Sequence, residues 1–218
     1  MTDNAAPRAR RSRLTPALSP EFYDRDTEVV ARELLGAILE CRTADGIAAG
    51  RIVETEAYIG AHDLACHAAA GRTARTAPLY GPPGIAYVYF IYGMYWCFNA
   101  VTRAEDEPSA VLVRAIEPTT GLDLMKRRRA KARRAVDVTN GPGKLCLALG
   151  IDGRHNWQSL QHPPVVIRAG ETVPDRDVIV TPRIGITESA DWPLRWLIAD
   201  NPYVSRTPAE FPRTRLGS

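Results

Sequence analysis

Two carboxylates and a dense group of tyrosines are the residues of this sequence whose types and spacing point to chemistry. Glu54 and Glu56 lie two residues apart in the apolar stretch from Arg51 to Tyr58. Because side chains alternate between the two faces of a strand, both carboxylates would lie on one face, with Cα atoms roughly 6–7 Å apart. If that face is partly buried, their repulsion raises one pKa, which can prepare a general base. Two glutamates that only form structural salt bridges can have the same spacing, and the spacing alone favours this structural interpretation.

The tyrosines are concentrated in segment 87–99. Tyr89 and Tyr58 could face each other across a slot in which a planar ring stacks. Tyr92 would stand at the turn of a hairpin, where an exposed aromatic with Met94 beside it could act as a wedge between stacked bases. A tyrosine-rich edge of the core, with hydroxyls reaching polar partners at the surface, is the simpler interpretation.

Three isolated polar residues have alternative interpretations. Arg114 closes an apolar strand, so its guanidinium needs a partner, either a carboxylate such as Glu54 or Glu117 or a phosphate. Asn99 ends a strand among apolar residues and must be hydrogen-bonded, either to the backbone or to the edge of a ligand. His67 lies in a long loop with no nucleophile motif around it, which favours a structural role.

Composition narrows the class of protein. A chain of 218 residues with net charge +3 predicts one domain. The four cysteines are scattered without metal-ligand spacing, which argues against zinc and favours a reduced, cytoplasmic setting. No apolar run reaches the length that spans a membrane, and the first residues lack the apolar core of a signal peptide.

Basic residues are unevenly distributed. Arginines crowd the N-terminus, and seven of the nine residues from Lys126 to Arg134 are basic. Such clusters indicate a polyanionic partner, although a solvated helix end is the simpler alternative for either cluster alone. We expect residues 1–20 to form a disordered basic tail, residues 21–206 the folded domain, and residues 207–218 a flexible C-terminal tail.

Hydrophobic periodicity and turn residues predict the elements. A helix is expected at 27–36, a second opening at 118–125 and running into the basic cluster, and a third at 144–149. A long loop at 60–84 separates two groups of strands. The strands are expected at 37–42, 48–58, 86–91, 95–102, 110–116, 164–168, 178–180 and 194–198. The sequence therefore predicts an α+β fold, a single mixed domain with a largely antiparallel sheet, flanking helices and a protruding β-hairpin.

Several segments in this order resemble the alkyladenine DNA glycosylase family, also called methylpurine or 3-methyladenine DNA glycosylase. They are 50–60, 87–95, 111–118, 141–146 and 201–205, together with His67. The resemblance spans most of the chain from Phe22 to Ser205. It implies a curved antiparallel sheet and a base-excision repair enzyme that flips a damaged purine out of double-stranded DNA and hydrolyses its N-glycosidic bond.

The resemblance also implies roles for residues in the base pocket. Glu56 would be the general base that activates water. Tyr58, His67 and Tyr89 would line the pocket for the extruded base, and Asn99 would reject guanine by crowding its exocyclic amino group. No metal, cofactor or lyase lysine is implied, and the expected form is a monomer that acts in the cytoplasm, nucleoid-associated in a bacterium.

A second group of residues would contact the DNA. Tyr92 would enter the minor groove and fill the gap left by the flipped base, and Arg114 would hold a phosphate near the flipped nucleotide. The remaining positions at which the family touches DNA are Arg72, Thr73, Met94 and Tyr95.

The expected substrates are 3-methyladenine, 7-methylguanine and hypoxanthine. A cationic alkylated purine leaves readily and stacks well on electron-rich tyrosine rings. The main alternative is a module that binds damaged DNA or structured RNA without catalysis, and a carbohydrate hydrolase using Glu54 and Glu56 is a further one. Only the enzyme interpretations require Glu56.

Overall fold

One long strand organises the fold. The computed structural model describes residues 15–217, and in it strand β2 (Gly46–Tyr58) pairs with three other strands. Strand β5 (Ala110–Thr120) runs along one edge of β2, while β1 (Ile38–Thr43) and β8 (Arg195–Ile198) share the other edge. The two halves of β2 therefore lead into different parts of the sheet.

Within the described residues the sheet has nine strands, and every pairing is antiparallel. Its main path runs in the order β3-β4-β5-β2-β8-β7-β9, with β1 and β6 attached beside β2. The hairpin β3–β4 thus forms one end of the path and β9 the other. The remaining strands are β3 (Ala86–Ile91), β4 (Tyr95–Val101), β6 (Val165–Arg168), β7 (Val178–Thr181) and β9 (Thr214–Arg215).

Four α-helices lie within residues 15–217: α1 (Pro20–Tyr23), α2 (Thr27–Glu33), α3 (Leu122–Arg128) and α4 (Pro142–Leu149). Asp26 caps α2 by accepting from the backbone N–H of Glu28 at 2.9 Å, and Pro142 starts α4, where its missing N–H costs nothing. The chain turns after α2 at Gly36, whose φ of 91° is left-handed and whose missing Cβ leaves room for the Glu171 carbonyl.

The core forms where α2 and α4 pack against the sheet. It contains apolar side chains from every layer, including Leu34 of the turn after α2, Ile52 of β2, Phe98 of β4 and Leu145 of α4. A smaller apolar cluster beneath loop 60–84 contains Tyr87 and Leu79, with Tyr58 and Tyr89 packed against it. This second cluster is where the candidate site lies.

The predicted α+β fold and its antiparallel sheet are confirmed. The largest boundary difference lies near residue 118: β5 continues to Thr120, and the helix expected from residue 118 begins at Leu122. Continued pairing of Gly50 with Pro118 and Ala49 with Thr120 extends the strand, because β2 is long enough to offer partners there. The long loop 60–84 contains two short 3₁₀ helices, His67–Ala70 and Ala77–Tyr80.

The ends of the chain were predicted to be tails. Residues 1–14 and 218 lie outside the described residues. Within the described part, Ala17 bridges to Arg168, and β9 pairs with β7. The predicted domain limits at residues 20 and 206 stay predictions. No helix within residues 15–217 is both long and apolar enough to cross a membrane.

Candidate active site

The carboxylate of Glu56 lies at the centre of a buried hydrogen-bond network. Its side chain has no solvent-exposed surface. Oε2 accepts from the Tyr58 hydroxyl at 3.0 Å and from Arg114 Nη1 at 3.1 Å, while Oε1 accepts from the backbone N–H of Ile184 at 2.8 Å. A carboxylate offers about four acceptor positions, so these three bonds leave capacity on Oε1 for one more donor.

Glu54 occupies a different environment two residues earlier. Its carboxylate is also fully buried and accepts from Arg114 Nε at 2.9 Å, Arg195 Nε at 2.7 Å and the Ser205 hydroxyl at 2.7 Å. Burial alone would raise the pKa of Glu54, but the two guanidinium groups outweigh it and hold that pKa below its ordinary value. Glu54 is therefore paired with two arginines, whereas Glu56 is paired with one arginine and also accepts from the Tyr58 hydroxyl and the Ile184 backbone N–H.

The shared guanidinium explains why both carboxylates tolerate burial. Arg114 donates to Glu54 and Glu56 at once. Its guanidinium therefore has a carboxylate partner, which is one of the two alternatives that the sequence left open. The pairing of β2 with β5 shifts register between Ile52 and Thr55, so β2 is irregular where it carries these side chains. Arg114 also lines the neighbouring cavity, and its predicted contact with a phosphate stays a prediction.

A cavity of about 370 Å³ opens beside this network. That volume falls within the range of roughly 300–1,000 Å³ that small-molecule sites occupy. Glu56 does not line the cavity itself, but all three groups that donate to it do. The predicted site residues that the structure brings together as its lining are Tyr58, His67, Tyr89, Tyr92, Tyr95, Asn99 and Arg114.

Aromatic rings of the cavity wall are held by contacts with one another. The His67 ring packs edge-on against Tyr89 with centroids 4.6 Å apart, and His67 Nδ1 is 2.8 Å from the Tyr87 hydroxyl. Burial, and to a smaller extent the charge of Arg75, lowers the pKa of His67. The imidazole is therefore kept neutral.

Tyr58 and Asn99 complete the inner wall. Burial and the neighbouring Glu56 raise the pKa of Tyr58 well above its ordinary value, so its hydroxyl stays a donor to that carboxylate. Asn99 is buried and donates from Nδ2 to the Tyr87 carbonyl at 3.0 Å. Its amide is thereby fixed in orientation at the cavity wall, and its predicted part in rejecting guanine stays a prediction.

The hairpin between β3 and β4 presents apolar side chains to solvent. Tyr92 is 76% exposed and Met94 63% exposed, and Tyr95 is also exposed. Tyr92 has a φ of 53° and Gly93 a φ of 66°, the left-handed pair that a tight hairpin turn of type I′ requires. Tyr92 is thus an exposed aromatic on the rim of the cavity, and its predicted role as a wedge stays a prediction.

Arg72 and Thr73 lie outside the cavity lining. Arg72 pairs with Asp106 at 2.8 Å and is largely exposed, and Thr73 exchanges hydrogen bonds with Thr76 at the start of a short helical turn. Thr73 lines a shallower depression next to His67. The predicted contact of Arg72 and Thr73 with DNA stays a prediction.

Sequence reasoning missed the segment that covers Glu56. Ile184, Gly185 and Ile186 line the cavity, and Ile184 supplies a backbone donor to a carboxylate 128 residues away. Residue types cannot reveal a backbone donor. The one local signal is Arg183, a charged residue in an apolar run, which the structure shows to be the anchor of this segment.

Arg183 fixes that segment against the loop that carries His67. It pairs with Asp63 through two bonds, one of them 2.7 Å from Nη2 to Oδ1, and both side chains are fully buried. The same guanidinium donates to the Ala57 carbonyl at 2.9 Å and lies 4.7 Å from the centre of the Tyr58 ring. One ion pair therefore joins the loop 60–66, the end of β2 and the segment over Glu56.

The described residues contain no group of histidine, cysteine, aspartate or glutamate arranged to hold a metal ion. The cysteines at 66 and 97 line the cavity as buried thiols, and burial raises the pKa of each.

The fold and the site together indicate a class of protein. An aromatic cavity, a buried carboxylate behind its wall and an exposed hairpin on its rim are features of an enzyme that acts on nucleobases.

Comparison with known proteins identifies the family. A model described as methylpurine-DNA glycosylase (MPG) matches residues 21–202. A protein of Myxococcus xanthus, named provisionally as a 3-methyladenine DNA glycosylase, is 48% identical over 194 residues, covering 88% of this chain and 94% of its own. Relatives with the same provisional name from Koribacter versatilis and Clostridium botulinum are each 44% identical, covering 91% and 86% of this chain and 97% and 98% of their own.

The chain belongs to the methylpurine-DNA glycosylase family, as the order of its sequence segments predicted. It is therefore a DNA glycosylase, a DNA-repair hydrolase whose partner is damaged DNA.

Proposed function

We propose that this protein flips alkylated or deaminated purines out of duplex DNA and hydrolyses their N-glycosidic bond, leaving an abasic site. The proposed bases are 3-methyladenine, 7-methylguanine and hypoxanthine. The observation that carries the proposal is that Tyr58, Arg114 and Ile184, the three donors that position the Glu56 carboxylate, all line the aromatic cavity.

In this proposal, Glu56 acts on a water molecule. The water would donate one hydrogen bond to Oε1, whose one other donor among residues 15–217 is the Ile184 backbone N–H, and would attack C1′ of the sugar. The bond from C1′ to the base nitrogen breaks, the base leaves with the bonding electrons, and the carboxylate takes the proton of the water. A negative carboxylate also stabilises the positive charge that develops on the sugar, as in sugar hydrolases.

The cavity's chemistry supports purine substrates. Tyrosine faces attract a cationic ring, which is the state of a purine alkylated at N3 or N7. Hypoxanthine carries no charge and would need hydrogen bonding or protonation at its leaving ring, so we expect it to be released more slowly. Asn99, fixed by its bond to the Tyr87 carbonyl, would crowd the exocyclic amino group of guanine.

Duplex DNA is the proposed form of the substrate. The exposed Tyr92 at the hairpin turn supports this, because a wedge is needed only where a base leaves a stack. We propose that the protein acts as a monomer, the form that the family resemblance implies. An enzyme with this role would work in the cytoplasm, at the nucleoid in a bacterium.

Chromatography of released bases tests the function directly. The protein would be incubated with methylated duplex, hypoxanthine-containing duplex and undamaged duplex. We expect free 3-methyladenine and 7-methylguanine from the first, hypoxanthine from the second and no base from the third. Tight binding to damaged duplex without any released base would instead identify a binding module and overturn the proposal.

A further inference from the structure

We propose that a basic surface beside the cavity binds the phosphate backbone of duplex DNA to one side of the damaged nucleotide. We call this surface the basic flank and define it as the exposed side chains of Arg127, Lys131 and Arg133. The inference rests on the proposed function only in taking duplex DNA as the partner and in placing the lesion at the cavity.

The residues of the basic flank differ from neighbouring cations whose side chains form ion pairs or hydrogen bonds within the protein. Within the same tract, Arg134 pairs with Asp137 at 2.8 Å, and Arg128 donates to the Leu149 carbonyl at the end of α4 at 2.8 Å. Arg127, Lys131 and Arg133 form no ion pair or side-chain hydrogen bond within residues 15–217. Neighbouring cations without acidic partners create a positive potential that a polyanion relieves.

A chain of hydrogen bonds links the tract to the rim of the cavity. Arg134 Nε donates to Asp137 at 2.9 Å, Asn140 Nδ2 donates to the same carboxylate at 3.4 Å, and Lys144 Nζ donates to Asn140 at 2.8 Å. Gly143, next to Lys144, lines the cavity. The end of the basic tract is thus connected, through Asp137 and Asn140, to the residue next to the cavity lining.

A groove gives the second connection between the tract and the hairpin. It has a volume of about 740 Å³ and is lined by Arg128 together with Met94 and Tyr95. Tyr95 and Gly143 line both this groove and the cavity, so the two are adjacent. A duplex held by the hairpin would therefore pass over the groove and bring its backbone to the basic flank.

The chemistry of the surface predicts how it binds. Arginine and lysine side chains on an exposed surface contact phosphates without reading bases, so the contribution is independent of sequence and depends on salt. Each phosphate contact contributes about 0.9 to the slope of log K against log salt concentration. We expect two contacts to be lost when Lys131 and Arg133 are both replaced.

The experiment measures duplex affinity as a function of salt for wild type, Lys131→Ala/Arg133→Ala, and a control with equal charge loss, Arg176→Ala/Arg213→Ala. The control arginines are exposed and lie next to β9, at the far end of the sheet from the hairpin. On an undamaged duplex, the flank variant should lose about two from the slope and the control should match wild type. This arm requires no base release, so it is independent of the proposed catalysis.

A second arm locates the contact. Duplexes carrying a stable abasic-site analogue would be shortened on one side or on the other. The defect of the flank variant should disappear on one shortened duplex and persist on the other. An unchanged salt slope, an equal defect in the control, a defect that survives both truncations, or a loss of affinity for structured RNA alone would each overturn the proposal.

Discussion

At the scale of single residues, two glutamates with the same sequence spacing have different environments. Glu54 is held by two arginines and Ser205, whereas Glu56 is held by one arginine, one tyrosine and a backbone N–H. The sequence predicted that both would lie on one strand face and that Arg114 needed a carboxylate or a phosphate. It could not distinguish the two glutamates, because Arg195 lies 141 residues and Ser205 151 residues along the chain from Glu54.

Replacing Glu54 with Gln should cost stability. Arg195 would keep its charge in a fully buried position without a carboxylate, and breaking such a pair costs about 3–5 kcal/mol of unfolding free energy. Denaturant unfolding measures the loss. Glu117→Gln is the matched control, because Glu117 accepts from the Asn201 amide at 2.9 Å and a glutamine can still accept there.

The stability cost of Glu54→Gln should depend on pH. The folded-state pKa of Glu54 is lowered, so its stabilising contribution is present above the ordinary value of 4.5 and is lost as pH falls through the folded pKa. The stability difference between wild type and Glu54→Gln should therefore be full near neutral pH and shrink below pH 4.5. A difference that grows on acidification would contradict the assigned ion pair.

His67 should titrate below 6.5, the ordinary pKa of histidine. Burial is the larger cause and Arg75 the smaller, so Arg75→Ala should raise the pKa only part of the way back. Because the unfolded chain binds this proton more readily, the His67 contribution to stability should fall as pH drops below 6.5. Histidine NMR titration measures the pKa, and Arg72→Ala, whose guanidinium pairs with Asp106, should leave it unchanged.

At the scale of elements, the hairpin β3–β4 and the segment 183–186 form opposite parts of the site. The hairpin was predictable because alternating apolar residues flank a glycine turn, and its two strands pair from Ala86 with Ala100 to Ile91 with Tyr95. The segment 183–186 has no such periodicity. Its position depends on the buried pair of Arg183 and Asp63, which is a tertiary contact that local sequence does not encode.

Tyr92→Ala should weaken base flipping more than bond cleavage. Stacking of one aromatic on a base contributes about 1–3 kcal/mol, which corresponds to roughly a tenfold loss or more in the single-turnover rate on duplex substrate. On single-stranded substrate no stack has to be opened, so the rate should change little. Tyr92→Phe keeps the ring and should behave as wild type, and an equal loss on both substrates would count against a wedge.

At the scale of the whole molecule, one sheet brings distant segments to a single cavity. Strand β2 carries the carboxylates, β5 carries Arg114, and the hairpin and loop 60–84 supply the aromatic wall. Most strands and the order of site motifs could be predicted, because strand periodicity and the family resemblance are both properties of the sequence. The register shifts between β2 and β5 and the closure over Glu56 could not, since they depend on contacts between segments far apart in the sequence.

Charge distribution also acts at this scale. The net charge of +3 is small, yet the basic flank groups three exposed cations that have no acidic partner among residues 15–217. A protein with little overall attraction for DNA would then have a surface that orients the duplex with the hairpin over the lesion. We therefore expect the salt dependence of DNA affinity to change with the position of a removed charge as well as with the number of charges removed.

The central claim is that the Glu56 carboxylate drives hydrolysis of a nucleotide held in the aromatic cavity. Single-turnover release of 3-methyladenine by Glu56→Gln, compared with Glu117→Gln and paired with affinity for abasic-site DNA, tests it most directly. We expect Glu56→Gln to fold, to bind the DNA and to lose at least about 100-fold in rate, as removal of a general base predicts, while Glu117→Gln keeps the wild-type rate. Release by Glu56→Gln at the wild-type rate would contradict the claim.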